Sequence, residues 1–521
     1  MMARWLFITL LCGVAALAAE EPTGDPFVFP RHQLYEPSRS FDSNPLINIL
    51  PEDTIVWETL DGAFSYRREP LAGAPGALYD TLPFLPEYQR IGLYTKGVQR
   101  ATYVQPLQSF RSSIYFASEE TFLPGKAGLK LDKGINAVLT EDGSLAVGNR
   151  FGAYWSFRHR WSPEGEHHEV HRAYAKLRLG KFSIEGGRDS VNLGPGEYGM
   201  LLSSNAEPFW MLKFQNDEPI EFYGKWSFML LNGWLFDRRA DHSDPQLFAA
   251  RLVYQPAGWV EIGVTRTELY GGAGRPTYKI HEMAEVIFGG KDNVPGGRFD
   301  NDGYAGIDLT FSLPMERWTG GKVKSLRFYF QESGTDISAP WQPEDVIFTV
   351  PWLFFHLFER AYTMGLTMSL ADHFFRLEYA KTSLTFYRHH MYLKEGYTYK
   401  GFSLGHPLGR NFQNIFFKHR WFAADWLTLE YRLGLYQFPA HSAPDHHNEF
   451  ALNPMFTVKG GVTRYYGEAT LTFPVKNLYF ELYGRVEGGS SYDADPRPVW
   501  WDIVRTPRVS GTGGLTLGAK F

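Results

Sequence analysis

Apolar and polar residues alternate with period two in stretch after stretch of this chain. In SLRFYFQES (325–333), Leu326, Phe328 and Phe330 alternate with Arg327, Tyr329 and Gln331. In WLTLEYRLGLY (426–436), Leu427, Leu429, Tyr431, Leu433 and Leu435 alternate with Thr428, Glu430, Arg432 and Gly434. LYFELYGRVEGG (478–489), RYYGEATLTF (464–473) and FFRLEYAKTS (374–383) follow the same rule. The segment GTGGLTLGAKF (511–521) sets Leu515, Leu517, Ala519 and Phe521 against Thr516, Gly518 and Lys520. Such alternation marks strands whose two faces meet different solvents.

A β-sandwich in water would alternate too, so the character of the polar face decides. Charges share that face in pairs: Glu430 with Arg432, and Glu481 with Arg485 and Glu487. A polar, mixed-charge interior inside an apolar outer band is the signature of an outer-membrane barrel. No run after the amino terminus reaches 18 consecutive apolar residues, so spanning helices are not expected. Without water to satisfy the backbone, the sheet must then close on itself. Short connections such as RLGKFS (178–183) contrast with long polar ones such as 270–303, as expected for such a barrel. The reading is therefore all-β, a transmembrane antiparallel β-barrel over 97–521. At about 24 residues per strand and connection it holds about 18 strands. Residues 513–521 are expected to form the closing strand, with Phe521 as the terminal aromatic that the barrel assembly machinery would read.

The first residues, MMARWLFITLLCGVAALAAEEPTGDP, combine a basic Arg4, an apolar run over 5–17 and an A-x-A pattern at 16–18. They predict a secretory signal peptide over 1–18. Residues 19–96 are Pro-rich without sustained alternation and are expected to be a short N-terminal periplasmic or plug segment, in which 50–64 could form a short helix. Cys12 is the only cysteine, so the exported chain has neither disulfides nor cysteine metal sites. The formal net charge of −5, from 52 Lys plus Arg and 57 Asp plus Glu, argues against a dedicated nucleic-acid partner. Aromatics make up 16 % of the chain, and membrane-interface girdles are the simplest use for them.

Histidine clusters at HHEVH (167–171), RHHMY (388–392) and DHHNE (445–449) lack the H-E-x-x-H spacing of a helical zinc site. They are expected to be solvated residues between strands. No G-x-S-x-G elbow or P-loop occurs, and scattered Ser, His and acidic residues do not make a triad. No catalytic residue, metal or cofactor is assigned.

Three blocks are more specific: GRDSVNLGPGEYGMLLSSNAEPF (187–209), GRFDNDGYAGIDLTFSLP (297–314) and YLKEGYTYKGFSLGHPLGRN (392–411). In this order they resemble the Wzi capsule-assembly family of outer-membrane proteins. The matching residues are Gly194-Pro195-Gly196 with Ser204-Asn205-Ala206 and Pro208, Asp300-Asn301 before Gly306-Ile307-Asp308, and Gly396-Tyr397-Thr398-Tyr399 with Gly401 and Gly405-His406. The resemblance implies an eighteen-stranded barrel with an N-terminal helical bundle, although residues 26–95 lack helical periodicity. It also implies a lectin-like protein that holds surface or capsular polysaccharide at the outer membrane without an enzymatic step. Gly194, Pro195 and Gly196 are expected to shape a turn. Arg188, Asn205, Asp300, Asn301 and His406 are candidates either for glycan contact or for a polar network in the lumen. The expected partners are polysaccharide, outer-membrane lipid and the assembly machinery, and the chain is expected to be a monomer. A porin-type diffusion channel is the alternative, and a barrel hydrolase a third reading.

Overall fold

The computed structural model describes the hairpin residues 58–60 and 63–65 and, from Tyr103 onward, residues 103–147, 151–216, 220–257, 259–276, 278, 279, 282, 300–313, 315–320, 322–338, 356–370, 373–383, 386–424, 427–438, 462–475, 478–489 and 509–520. From Tyr103 the chain forms a closed antiparallel barrel of eighteen strands. These are β1 (Tyr103–Ala117), β2 (Gly134–Val147), β3 (Phe151–Ser162), β4 (Gly165–Leu179), β5 (Phe182–Asp189) and β6 (Phe209–Asn216). Next come β7 (Lys225–Trp234), β8 (Gln246–Ala257), β9 (Val260–Tyr270), β10 (Asp302–Leu313), β11 (Val323–Ser338) and β12 (His356–Leu370). The circuit ends with β13 (His373–Thr382), β14 (Phe412–Ala424), β15 (Leu427–Phe438), β16 (Val462–Val475), β17 (Leu478–Gly489) and β18 (Val509–Lys520). Each strand pairs with the next, and β18 pairs with β1 to close the sheet, Leu515 opposite Ile114 and Thr516 opposite Ser113. The Thr516 and Ser113 hydroxyls lie 2.8 Å apart inside the seam.

Alternation sorts the strands as expected. On β11, Phe328 and Phe330 are more than 40 % exposed while Arg327, Tyr329 and Gln331 are at most 5 % exposed. Leu433 on β15, Phe480, Leu482 and Val486 on β17 and Leu515 on β18 also face outward. Rings gather near the short-turn ends, where Trp226 stacks on Tyr254 at 4.1 Å and Phe214 lies 5.9 Å from Phe182. Among the described residues no helix is long and apolar enough to cross a membrane.

Three expectations need adjustment. The closing strand begins at Val509 rather than 513, and Phe521 lies outside the described residues. Within 50–64, Glu58–Leu60 pairs antiparallel with Ala63–Ser65 instead of coiling; the sequence between them, Asp-Gly, is a strong hairpin signal. The remainder of 1–102, including the expected signal peptide, lies outside the described residues. HHEVH does not join strands but lies within β4, where His168 faces His159 of β3 with ring nitrogens 2.9 Å apart. DHHNE lies outside the described residues.

Strand connections are short at one end, such as 180–181, 371–372 and 425–426, and long at the other, such as 190–208, 271–301 and 383–411. In outer-membrane barrels the long-loop end faces outward. Eighteen strands enclose a lumen too wide for wall side chains alone to fill. Here two long loops turn inward and fill much of its outer part.

Candidate functional site

The first inward loop, 190–208, is rooted between β5 and β6. Its apolar residues Val191, Leu193, Met200, Leu201 and Leu202 are at most 1 % exposed. The second, 383–411, is rooted between β13 and β14, eight strands further round, and buries Phe386, Tyr387, Tyr392, Tyr397 and Leu404. The two loops therefore start from opposite walls and meet. Backbone groups taken away from water need partners, and each loop supplies them for the other. Ser203 N donates to Leu404 O at 2.7 Å, Tyr397 Oη to Leu201 O at 2.9 Å and Asn205 Nδ2 to Ser403 O at 3.1 Å. The Tyr387 hydroxyl donates to Met200 O and accepts from His406 N at 3.0 Å. A Cβ on Gly405 would lie 2.2 Å from Tyr387 Oη and 2.4 Å from Met200 O, so the Gly-His step admits glycine alone.

Three further loops lock the crossing. From 235–245, between β7 and β8, Arg239 donates to Thr398 O and to Gly396 O, each at 2.7 Å. From 118–133, between β1 and β2, Ala127 N and Gly128 N donate to Ser204 O and Asn205 O at 3.1 and 2.9 Å. The Phe122 ring meets Phe402 edge-on at 4.9 Å. From 271–301, between β9 and β10, Gly271 O accepts from Tyr392 Oη at 3.0 Å, and Asp300 Oδ1 lies 2.9 Å from His390 Nε2. Tyr304, at the start of β10, packs against Phe386, Tyr387 and Tyr397 at centroid distances of 4.8–5.8 Å. The three sequence blocks, some 200 residues apart at their extremes, thus converge in one knot.

The turn Gly194-Pro195-Gly196 forms the tip of the first loop. Gly194 has φ +116°, and a Cβ there would lie 2.5 Å from Gln331 Oε1 on β11. The next residue, Glu197, is the deepest anchor. Its carboxylate receives Lys418 Nζ at 2.9 Å, Arg432 Nη2 at 2.6 Å and Arg376 Nη1, and its amide donates to Glu378 Oε2 at 2.8 Å. Arg432 Nη1 also donates to the Tyr198 hydroxyl at 2.8 Å. Arg376, Lys418 and Arg432 stand on β13, β14 and β15, so the loop spans the lumen from the β5–β6 wall to the facing one. Burial alone would raise the Glu197 pKa, but Lys418, Arg376 and Arg432 outweigh it and hold the carboxyl well below the usual range.

Each candidate residue has a defined place. Arg188 on β5 donates to Pro208 O at 2.8 Å and reaches Glu169 and Glu207 at 3.2 and 3.1 Å. Glu207 also receives Lys400 Nζ of the second loop at 2.6 Å. Besides donating to Ser403 O, Asn205 accepts from Gly125 N through Oδ1 at 3.4 Å. Asn301 donates to the Tyr278 hydroxyl, and Tyr278 stacks on Tyr270 at 4.7 Å. His406 stacks on Phe412 at 4.3 Å and accepts from Leu408 N at 3.2 Å. Burial pushes its pKa down to about 3. Asn205, Asp300, Asn301 and His406 are all at most 6 % exposed. The knot thus brings Asn205 and His406 together, and sets Arg188, Asp300 and Asn301 around its edge.

Below the knot lies a polar cavity. Glu197, Tyr198, Pro124 and Lys126 roof it, and wall residues such as Arg420, Glu430, Glu468, Glu481 and Thr516 line it. Among the charges there, Arg420 Nε pairs with Glu430 at 2.6 Å and Glu468 with Arg485 at 3.0 Å. Sequence reading missed Glu197 and its three cations. The signal available was the apolar run Met200–Leu202 inside a loop, which no water-exposed loop would carry.

Fold and site together define an outer-membrane β-barrel whose lumen is crossed and filled by its own loops. The family model of the capsule assembly protein Wzi matches residues 115–484, and the chain belongs to that family. Among solved structures, it is similar to Wzi of Escherichia coli, described as an outer-membrane protein involved in group 1 capsule assembly and a carbohydrate-binding β-barrel. The two share 15 % identity with a TM-score of 0.57 over 90 % of this chain and 96 % of the other. OccD3 (OpdP) of Pseudomonas aeruginosa aligns over 82 % of this chain and 93 % of its own, with 12 % identity and a TM-score of 0.46. No curated protein matches the chain.

Proposed function

We propose that this barrel holds polysaccharide at the cell surface, its loop knot serving as a fixed platform rather than a gate for solutes. The observation that carries the reading is the crossing of the two inward loops, fastened to opposite walls and to each other. A diffusion channel needs a water-filled path, whereas here buried apolar and aromatic side chains occupy the outer lumen. Family membership and the description of the Escherichia coli protein as carbohydrate-binding support the same reading. Arg188, Asn205, Asp300, Asn301 and His406 act as the knot's internal polar fastenings, and the glycan lies on the surface above them. That surface carries exposed Arg238, Lys279, Arg388 and Lys394, a cationic set suited to a polysaccharide bearing anionic sugars. The binding is non-enzymatic and needs no cofactor.

The test is a deletion strain. Polysaccharide should appear in the medium at the expense of the cell-bound fraction while total synthesis is unchanged. An unchanged cell-bound fraction, together with high conductance of the purified protein in planar bilayers, would favour the channel instead.

A further inference from the structure

At the outer edge of the knot, Asp300 faces two adjacent histidines of the second loop. Asp300 Oδ1 lies 2.9 Å from His390 Nε2 and 3.8 Å from His389 Nε2, and Oδ2 lies 3.1 Å from His390 Nε2. The two imidazole centroids are 4.1 Å apart. One donor atom from each of the three residues falls within 4.8 Å of the other two. Donors bound at about 2.0–2.2 Å around a tetrahedral ion stand roughly 3.4 Å from one another, so small side-chain rotations bring this set onto one centre.

From this geometry we infer a metal site: Asp300, His389 and His390 bind one divalent transition-metal ion. Two imidazole nitrogens and a carboxylate oxygen suit zinc, copper or nickel, whereas magnesium and calcium take all-oxygen shells. The donors are already held. Asp300 is buried, and its carbonyl is gripped by Arg275. His389 is 10 % exposed. His390 is 51 % exposed, which gives the ion a route in from the outer side. Three protein ligands leave a further position for water or for an oxygen of a bound glycan. One contact must yield on loading. Met391 N donates to His389 Nδ1 at 3.2 Å, and metal at Nε2 places the ring proton on that nitrogen. The ion joins loop 271–301 to loop 383–411, whose roots are four strands apart, and so staples the knot from outside. This inference is independent of what the barrel carries.

The probe is zinc, titrated calorimetrically into tag-free full-length protein in detergent after removal of bound metal with EDTA. One equivalent should bind, and saturating zinc should raise the thermal unfolding midpoint. His390→Ala, a half-exposed position that should not disturb folding, should weaken binding by about tenfold or more and cancel the thermal shift. His389→Ala should do the same. The chain has 16 histidines, so these variants identify the site. Equal binding by wild type and both variants, or no stoichiometric binding by wild type, overturns the assignment.

Discussion

Glu197→Gln should release the first loop from the far wall. The carboxylate compensates three buried cations at once: Lys418, Arg432 and Arg376. An amide is neutral and turns a donor toward at least one of them. Removing one member of a buried ion pair typically costs about 3–5 kcal/mol, because the other charge is left uncompensated. Lys418 retains Glu430 at 3.4 Å and Arg376 retains Glu378 at 3.9 Å, which puts the loss near the low end, about 3 kcal/mol. At about 1.4 kcal/mol per tenfold, the ratio of docked to undocked loop should fall roughly 150-fold. Ser204 lies on the same loop and is fully buried. A thiol introduced by Ser204→Cys, in a chain carrying Cys12→Ser, therefore reports undocking through its rate of modification by a methanethiosulfonate. The rate should rise about a hundredfold with Glu197→Gln. A folded-state pKa held below the unfolded value gives stability that is present above about pH 4.3 and lost as pH falls through the folded pKa. Corrected for thiol reactivity, labelling of the parent should thus be flat between pH 6.5 and 8. A Glu197→Gln rate within threefold of the parent would show that the clamp does not hold the loop.

Gly194→Ala puts a Cβ into the Gln331 amide at positive φ, so it should cost about 1–3 kcal/mol and accelerate the same labelling reaction. His406, buried with its pKa lowered to about 3, takes up a proton on unfolding at acidic pH. It therefore contributes stability above about pH 6.5 that is lost progressively as pH falls toward 3, and His406→Gln should flatten the unfolding midpoint against pH over that range. Phe328→Arg, on the lipid face of β11, should cost about 2–4 kcal/mol in urea-driven refolding into vesicles if the residue sits near mid-bilayer. A loss well under 1 kcal/mol would mean that this face does not meet hydrocarbon.

The barrel was readable because two solvents impose a period on every strand. Phe328 and Arg327 had to part, whichever strands lay beside them. The same physics does not reach the loops. Glu197 meets Arg376, Lys418 and Arg432 across separations of 179–235 residues, and no local periodicity encodes such a meeting. The blocks around Gly194, Asp300 and Gly405 stood out only as a resemblance, without any indication that they touch. HHEVH was misplaced because its polar residues suggest a connection, yet β4 carries them near the outer end, where Glu166, His167 and His168 are exposed. The hairpin at 58–65 was hidden by an apolar spacing that fits a helix turn as well as a strand.

A wide barrel must fill its lumen with water or with protein, and the choice governs what the molecule can do. Polypeptide brought into the lumen carries backbone groups that need partners, and wall side chains cannot supply enough of them. Loops that enter from opposite walls can satisfy one another, as Ser203, Asn205 and Tyr397 do with the strands and turns they meet. The wall then has only to fix a few points, and Glu197 on its three cations is the firmest of them. An assembly fastened in this way leaves little freedom for the loop surfaces above it. That suits a task in which many weak sugar contacts must be held in a constant arrangement, since a rigid surface loses less entropy on binding than mobile loops would. It does not suit solute passage, which would require these fastenings to break with every opening.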